Sequence, residues 1–308
     1  MFQKHNLIVI LGPTASSKTS LAAHLASKIN GEIISADSRQ VYRKLNLGTG
    51  KDYSDYIVNG QQVPYHLIDI ADPGSQYNVF EFQKDFVNIF VELNHRQKPA
   101  LLCGGSGLYV EAVVQGYKLI QVPINQQLRD ELEPKSLDEM RIILSHFKNL
   151  HNTSDIDNTK RAVRAIEIET YYASHPEIDF SYPEINALLI GVKFDRASQR
   201  RRITERLNFR LKNGLVEEVE ELLKEGLTPD QLIYYGLEYK FLTQYITGKL
   251  SYDQMFNGLN TAIHQFAKRQ MTWFRRMENQ GMKIHWLDGY QPLEEKLERI
   301  FSIMEKPG

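Results

Sequence analysis

The sequence predicts an α/β fold in which a parallel sheet carries helical insertions. The run Leu7–Leu11 is apolar without interruption and ends at Gly12-Pro13, which is typical of a strand buried on both faces. Further short apolar runs alternate with segments of helical periodicity in the amino-terminal third and return near the carboxyl terminus. This alternation favours a parallel sheet, because parallel neighbours are joined by helical crossovers.

The elements of the predicted core follow in order along the chain. A helix over Ser20–Lys28 follows the first strand, and a second helix over Val79–Leu93 separates two later apolar runs. A last strand over Lys283–Leu287 precedes a carboxyl-terminal helix. The remaining predicted strands are Glu32–Ser35, His66–Ile70, Ala100–Cys103 and Ala187–Phe194.

Two long stretches show helical periodicity with few signs of strands. The first contains amphipathic segments at Gln126–Leu132, Leu137–Leu150 and Thr159–Tyr172, and the second runs from Arg196 to Met277. We therefore predict a core with helical segments added to it. Residues 1–119, 185–197 and 282–308 form the predicted core, and residues 120–184 and 198–281 form the helical segments.

Length and composition exclude several classes of protein. The chain has 308 residues, of which 42% are hydrophobic and 24% charged, so it is neither disordered, collagen-like nor a coiled coil. Its 37 Lys and Arg residues nearly balance 38 Asp and Glu residues, so any nucleic acid must bind a local basic patch. Cys103 is the single cysteine, and no apolar run reaches membrane-spanning length. We therefore expect a cytoplasmic protein that does not enter a membrane.

The segment after the first strand has the pattern of a phosphate-binding loop. It reads GPTASSKT and fits G-x-x-x-x-G-K-S/T, except that Ser17 stands in place of the second glycine. Backbone N–H groups would surround phosphate oxygens, Lys18 would add a positive charge, and the Thr19 hydroxyl would bind Mg²⁺. The alternative is an ordinary polar turn between a strand and a helix. The pattern predicts a P-loop NTPase-like core and a diphosphate-binding set of Gly12, Pro13, Thr14, Ala15, Ser16, Ser17, Lys18 and Thr19.

An acidic loop follows the predicted strand Glu32–Ser35. Its residues Asp37-Ser38-Arg39-Gln40 would lie at the carboxyl edge of the sheet, where α/β folds hold their ligands. A carboxylate there can bind Mg²⁺ through water or accept a proton from a nucleophile, and Arg39 and Gln40 can hydrogen-bond a base. The alternative is an aspartate that caps a helix ahead of a solvated turn.

A glycine-rich loop, GGSGLY at Gly104–Tyr109, directly follows the strand Ala100–Cys103. Its glycines permit close approach of the backbone, and Ser106 can place a hydroxyl on a phosphate or on a reacting base. An ATP-hydrolysing enzyme would carry an aspartate at the end of this strand, where Cys103-Gly104 stands, and Asp69 is the one alternative. The loop therefore argues against ATP hydrolysis, although a tight turn without function has the same composition.

Basic residues cluster on three stretches, Lys160–Arg164, Lys193–Lys212 and Lys268–Arg276. In a chain of nearly zero net charge, such clustering indicates a surface for a polyanion. The third stretch interleaves basic and aromatic residues, which suits RNA because side chains stack on its exposed bases. The alternative for each helix is a solvated charged face. On the second stretch, one stripe with a spacing of four residues contains Arg202, Arg206 and Arg210.

With these motifs, the chain resembles the bacterial tRNA dimethylallyltransferase (tRNA isopentenyltransferase) family over nearly its full length. The order and spacing of the motifs make the match specific. The matching segments are GPTASSKT at Gly12–Thr19, DSRQVYR at Asp37–Arg43, PYHLIDI at Pro64–Ile70, GGSGLY at Gly104–Tyr109, KRAVRAIE at Lys160–Glu167, RRRITERL at Arg200–Leu207, GLVEEV at Gly214–Val219 and AKRQMTWFR at Ala267–Arg275.

The resemblance implies transfer of a dimethylallyl group from dimethylallyl diphosphate to N6 of the adenosine 3′ of the anticodon in tRNA. It implies that Asp37 is the base, that Lys18, Arg202 and Mg²⁺ on Thr19 stabilise the leaving diphosphate, and that Ser106 contacts the reacting region. A channel that admits the flipped base is expected on the same ground. We expect a monomer that binds the anticodon stem-loop through Asp37, Ser38, Arg39, Gln40, Ser106, Arg129, Lys160, Arg161, Arg164, Lys268 and Arg269.

Several residues depart from the family pattern. Ser17 replaces the loop glycine, Ser106 replaces a threonine, His264 stands where an arginine is usual, and Tyr234–Lys240 (YYGLEYK) matches its motif loosely. These departures indicate a divergent member. Two other functions stay compatible with the residues: a tRNA-binding paralogue with weakened catalysis, and a P-loop kinase acting on a small molecule.

Overall fold

Six parallel strands form the main sheet of this computed structural model, which describes residues 5–147, 158–177 and 181–305. Strand β1 lies in the middle, and every one of its side chains is buried, as an uninterrupted apolar run requires. The order across the sheet is β5-β2-β6-β1-β7-β8. These strands are β1 (Leu7–Leu11), β2 (Glu32–Ser35), β5 (Tyr65–His66), β6 (Ala100–Gly104), β7 (Ala187–Lys193) and β8 (Ile284–Asp288); β3 (Ile57–Val58) and β4 (Gln61–Gln62) pair separately.

The strand predicted over His66–Ile70 is wrong beyond its first residue. Only Tyr65–His66 pairs with β2. Leu67 and Asp69 then adopt positive φ angles of 62° and 56°, which are incompatible with an extended strand. Leu67 is buried and Asp69 is held by Lys51, so tertiary contacts outweigh the apolar pattern.

Helices cover both faces of the sheet. Buried residues of α1 and α12 pack with Ile8 and Ile10 on one face, whereas α2, α3 and α7–α11 pack with Leu7, Val9 and Leu11 on the other. No helix in the described part of the chain is long and apolar enough to cross a membrane. These helices are α1 (Lys18–Ile29), α2 (Val79–His95), α3 (Gly107–Val114), α7 (Arg196–Lys212), α8 (Leu215–Lys224), α9 (Pro229–Tyr234), α10 (Leu237–Ile246), α11 (Tyr252–Asn279) and α12 (Leu293–Glu305).

Residues Lys118–Tyr182 form a separate compact unit. It contains α4 (Gln126–Leu132), α5 (Leu137–Ser145) and α6 (Thr159–Ser174) around a small apolar core. Helix α5 was predicted to reach Leu150; it ends at Ser145, and residues 148–150 lie outside the described residues. Its start is set by a capping box, in which Ser136 and Glu139 satisfy each other's backbone N–H groups.

The other unit contains Met1–Tyr117 and Pro183–Gly308. The predicted helical segment 120–184 nearly coincides with the smaller unit. The predicted segment 198–281, in contrast, belongs to the same unit as the sheet, because its apolar residues share one core with β1 and β6. The predicted P-loop NTPase-like α/β fold is confirmed.

Candidate active site

A cavity of about 840 Å³ opens at the carboxyl edge of the sheet, where β1, β2 and β6 end. The phosphate loop, the acidic loop and the glycine loop all contribute to its wall. Of the eight residues predicted to bind diphosphate, Thr14–Thr19 line the cavity, whereas Gly12 and Pro13 are buried beside it. The three motifs therefore meet in one place, as expected for loops after neighbouring parallel strands.

The phosphate loop keeps a left-handed turn at the position where the family has glycine. Ser17 has φ 59° and ψ 27°, and Ala15 has φ 61°. Such angles cost a residue with a Cβ about 1–2 kcal/mol relative to glycine. The Ser17 side chain points to the exposed side of the turn, where its hydroxyl accepts a hydrogen bond from Arg202 at 2.7 Å. The serine therefore follows the backbone path of a glycine.

Arginines of α7 reach the phosphate loop from across the cavity. Besides its bond to Ser17, Arg202 donates from Nε to the Ala15 carbonyl at 3.0 Å and lies over the Phe194 ring at 4.4 Å. Arg206 donates to the Thr14 hydroxyl, and Arg210, which is buried, pairs with Asp52 at 3.3 Å. The stripe that the sequence predicted as a polyanion surface thus faces the interior of the cavity.

These cations give the cavity a positive end. Burial and, to a smaller extent, the neighbouring Arg210 lower the pKa of Arg206 to about 10. Burial also lowers the pKa of Lys18, although Cys103 and Asp37 act in the opposite direction. Lys18 and Arg206 are partly withdrawn from solvent at the phosphate loop, and such cations favour a multiply charged anion.

The acidic loop and the glycine loop are joined by a hydrogen bond. The Ser38 N–H donates to the Ser106 hydroxyl at 3.3 Å. One Asp37 carboxylate oxygen accepts the Arg39 N–H at 2.9 Å, so Asp37 closes a turn and does not cap a helix. The Arg39 guanidinium lies 5.0 Å from the centre of the Tyr234 ring. Asp37, Ser106 and Lys18 accordingly line the same cavity.

Gln40 has its side-chain amide engaged on both sides. The Ser35 hydroxyl donates to its Oε1 at 3.1 Å, and its Nε2 donates to the Gly50 carbonyl at 3.0 Å. These bonds fix the amide at the cavity wall. Contact with a base would therefore use the second Nε2 proton or the second lone pair of Oε1.

The end of β6 carries no carboxylate. Cys103 is buried there, and its burial raises the pKa of the thiol to about 12. Asp69, the other candidate for an NTPase aspartate, binds Lys51 at 2.6 Å and Tyr53 at 2.5 Å, and it does not line the cavity. Asp69 thus organises a loop outside the site.

A divalent cation would find a limited set of ligands. Across residues 5–147, 158–177 and 181–305, no group of three His, Cys, Asp or Glu side chains could hold a metal. The Thr19 hydroxyl and the carboxylates of Asp37, Asp52 and Asp55 nevertheless line the cavity. This set fits Mg²⁺, which takes few protein ligands and completes its shell with phosphate oxygens and water.

Sequence reasoning missed two glutamines that contact the phosphate loop. Gln199 donates to the Thr14 carbonyl, and Gln270 accepts the Thr14 N–H at 2.9 Å. Gln199 lies three and seven residues before Arg202 and Arg206, so helical spacing put it on their face. The sequence does not show whether that face of α7 points toward the phosphate loop or toward solvent.

The predicted tRNA contacts of the smaller unit surround a buried carboxylate. Arg129 and Arg164 both pair with Glu167, of which only 1% of the side chain is exposed. Lys160 and Arg161 lie on the exposed side of α6. In the larger unit, Lys268 and Arg269 are exposed on α11, and Arg269 also lines the cavity. His264, the departure from the family arginine, lies near the Thr204 hydroxyl at 3.3 Å and the Arg200 carbonyl at 3.2 Å.

Two family models match the chain. The model described as IPP transferase matches residues 40–277, and the model described as isopentenyl transferase matches residues 5–65. Among curated relatives, a tRNA dimethylallyltransferase 2 of Bacteroides fragilis is 60% identical over 293 residues and covers 95% of this chain and 96% of its own length. A tRNA dimethylallyltransferase 2 of Phocaeicola vulgatus is 56% identical and covers 98% of both chains.

Solved structures show the same fold. The full-length tRNA isopentenylpyrophosphate transferase of Bacillus halodurans superimposes with a TM-score of 0.72 at 29% identity, covering 98% of this chain and 96% of that one. A eukaryotic dimethylallyltransferase acting on tRNA has a TM-score of 0.75 at 22% identity, covering 92% and 73%, and supports the fold alone. Motifs, fold and relatives together place this chain in the IPP transferase family, as the sequence resemblance predicted.

Proposed function

We propose that this protein transfers a dimethylallyl group from dimethylallyl diphosphate to N6 of the adenosine 3′-adjacent to the anticodon in tRNA. The observation that carries the proposal is the convergence of the phosphate loop, Asp37 and Ser106 on one cavity with the arginines of α7. The relatives named tRNA dimethylallyltransferase support the same substrate pair. In the reaction, a bond forms between N6 and C1 of the donor, the C1–O bond breaks, and diphosphate leaves.

The cationic end of the cavity binds the donor. Amide groups of the phosphate loop and the ammonium of Lys18 hold the diphosphate, while Arg202 and Arg206 reach it from α7. Negative charge on the leaving oxygen grows as the C1–O bond breaks. Fixed cations beside that oxygen lower the barrier because they need no reorganisation when the charge develops. Arg206 adds to the Lys18 and Arg202 pair that the resemblance implies.

Asp37 accepts the proton that adenine must lose. The N6 lone pair is delocalised into the ring, so the amine is a weak nucleophile until a base takes its proton. The Asp37 carboxylate has one oxygen fixed by the Arg39 N–H, which orients the group at the cavity wall. Ser106, held by the Ser38 N–H, places its hydroxyl beside the same region. Together they hold the target base and direct its N6 toward the donor.

Mg²⁺ belongs to the same proposal. The Thr19 hydroxyl would hold it together with phosphate oxygens of the donor, and Asp37, Asp52 and Asp55 supply negative charge nearby. When bound, the ion neutralises charge on the leaving diphosphate.

The acceptor is held outside the cavity by basic side chains. In the larger unit, Lys268 and Arg269 bind phosphates of the anticodon stem-loop, and Arg39 lines the cavity beside Tyr234. In the smaller unit, Lys160 and Arg161 also bind RNA phosphates. Arg129 and Arg164 contact the RNA while they remain paired with Glu167. We also propose that the reaction takes place in the cytoplasm and that the protein acts as a monomer, in keeping with the expectations from its sequence.

The test is incubation of the protein with Mg²⁺, dimethylallyl diphosphate and unmodified tRNA, followed by mass spectrometry of the digested nucleosides. We expect adenosine heavier by one dimethylallyl group. Asp37→Asn should lower kcat by about 10²–10⁴-fold while tRNA binding is retained, because only the proton acceptor is lost. Asp72→Asn, which alters an exposed carboxylate paired with Arg43, should be as active as the parent protein.

Two results would contradict these assignments. Unchanged turnover of Asp37→Asn would exclude Asp37 as the base. Tight tRNA binding without a prenylated product would exclude the transfer and favour a binding paralogue.

A further inference from the structure

Gln270 is the side chain that joins the phosphate loop to the glycine loop. It projects from α11 and is 6% exposed. Its Oε1 accepts the Thr14 N–H at 2.9 Å, and its Nε2 donates to the Gly105 carbonyl at 2.8 Å. One amide therefore bridges the loop that follows β1 and the loop that follows β6.

The backbone at Gly105 packs closely against this amide. A Cβ on Gly105 would lie 2.4 Å from Gln270 Nε2 and 3.0 Å from the Gly12 carbonyl oxygen. An alanine at this position would have to displace the Gln270 amide and crowd the Gly12 carbonyl. The Gln270 amide thus fills the space between the two loops, and Gly105 is the residue that permits this close contact.

Thr14 is fixed on all its polar sides. Gln199 donates to its carbonyl, Arg206 donates to its hydroxyl, and Gln270 accepts its N–H. Because the Thr14 N–H is already used, the donors left for phosphate belong to the loop residues after it. Thr14 therefore anchors the loop, and its N–H is not available to a phosphate.

The polarity of the amide is dictated by its two partners. Thr14 presents a donor and Gly105 presents an acceptor, so a side chain must accept at one end and donate at the other. A carboxylate would set an oxygen against the Gly105 carbonyl, and an apolar chain would leave both buried backbone groups without partners. Glutamine alone satisfies both at this length.

We propose that Gln270 is a positioning residue that sets the distance between the bound diphosphate and the catalytic pair Asp37 and Ser106. The inference rests on the function proposed above. Gly105 directly precedes Ser106, and Thr14 lies in the phosphate loop, so a shift of either loop changes the approach of N6 to C1. A misplacement of about 1 Å between reacting groups can reduce a rate about 10²-fold.

The matched control is another buried glutamine with the same kind of bond. Gln83 on α2 is 5% exposed and donates from Nε2 to the Ala112 carbonyl at 2.9 Å, and it does not line the cavity. Replacing Gln83 tests the cost of losing a buried amide without disturbing the two loops. A difference between the two sites therefore reports the position of Gln270 and not its burial.

The experiment compares Gln270→Met, Gln270→Glu and Gln83→Met in the full chain. It measures kcat, KM for tRNA, the Kd of inorganic diphosphate by calorimetry, and Tm. We expect Gln270→Met to lower kcat about 10²-fold with KM for tRNA unchanged, and to weaken diphosphate about tenfold. Gln270→Glu should lower kcat similarly, because it keeps the Thr14 contact and loses the Gly105 contact. Gln83→Met should lower Tm only.

A kcat and a diphosphate Kd of Gln270→Met equal to those of Gln83→Met would overturn the proposal. If Gln270→Met does not fold, Gly105→Ala disturbs the same link from the other side and should show the same loss of kcat. Diphosphate affinity needs no turnover. If the parent protein does not prenylate tRNA, the proposed function is refuted. If Gln270→Met still binds diphosphate more weakly than the parent protein, the positioning role is supported independently of that function.

Discussion

Replacing Glu167 with glutamine should loosen the smaller unit and leave the phosphate loop intact. The Glu167 carboxylate accepts hydrogen bonds from the Asn125 N–H at 2.7 Å, from Arg129 at 3.0 Å through two nitrogens, and from Arg164. Arg164 also donates to the Val122 carbonyl at 2.9 Å. One buried charge therefore ties the segment before α4 to α4 and α6.

The magnitude follows from the ionisation of this carboxyl group. Burial alone would raise the pKa of Glu167, but the hydrogen bonds from Arg129, Asn125 and Arg164 outweigh it and hold the pKa at about 2. Relative to an ordinary 4.5, this corresponds to about 3 kcal/mol of stabilisation. Arg129 and Arg164 are 34% and 39% exposed, so solvent screening reduces the value to about 2 kcal/mol.

The assay is hydrogen exchange at neutral pH, read separately for α6 and for β1. Loss of about 2 kcal/mol should make α6 amides exchange about 30-fold faster in Glu167→Gln, with β1 unchanged. Glu131→Gln, an exposed substitution in α4 of the same unit, is the control. Because the pKa is lowered in the folded state, the stabilisation is complete above pH 4.5 and disappears as the pH falls toward 2. Equal exchange of α6 in the two variants would refute this reasoning.

Three further substitutions test the larger unit. Arg202→Ala should lower kcat about 10²-fold, because the Arg202 guanidinium contacts the phosphate loop. The affinity for tRNA, measured by filter binding, should stay unchanged. Equal losses of kcat and of tRNA affinity would contradict a role of Arg202 in diphosphate stabilisation. Ser17→Gly should raise the unfolding free energy in urea by about 0.5–1 kcal/mol, since it relieves a left-handed turn, and a fall would argue against strain there. Glu218→Gln should cost about 2 kcal/mol in urea, because Glu218 accepts three N–H groups of Asn46–Gly48, whereas Glu217→Gln should cost nothing measurable.

The strands of the core were predictable because their signal is local. A strand buried on both faces must be apolar throughout, so β1 and β6 could be read from a few residues. Leu67–Ile70 is similarly rich in apolar residues but does not pair with the sheet. Its Asp69 accepts a hydrogen bond from Lys51, eighteen positions away. Local composition cannot represent a contact of that kind.

The positions of the loops were also predictable. Loops that follow neighbouring parallel strands meet at one edge of the sheet, so the motifs after β1, β2 and β6 had to share a site. The direction in which the arginine stripe of α7 points was not predictable. Spacing placed Arg202, Arg206 and Arg210 on one stripe, but the same stripe could face solvent or the cavity.

By itself, the sequence determined the fold class, the family and the three loops of the site, because these depend on short motifs and on strand order. Only the tertiary structure decided which side chains complete the site. Gln199 and Gln270 reach Thr14 from 185 and 256 residues away, and Arg206 from 192. Contacts over such separations depend on how helices pack against the sheet, and that packing is a property of the whole core.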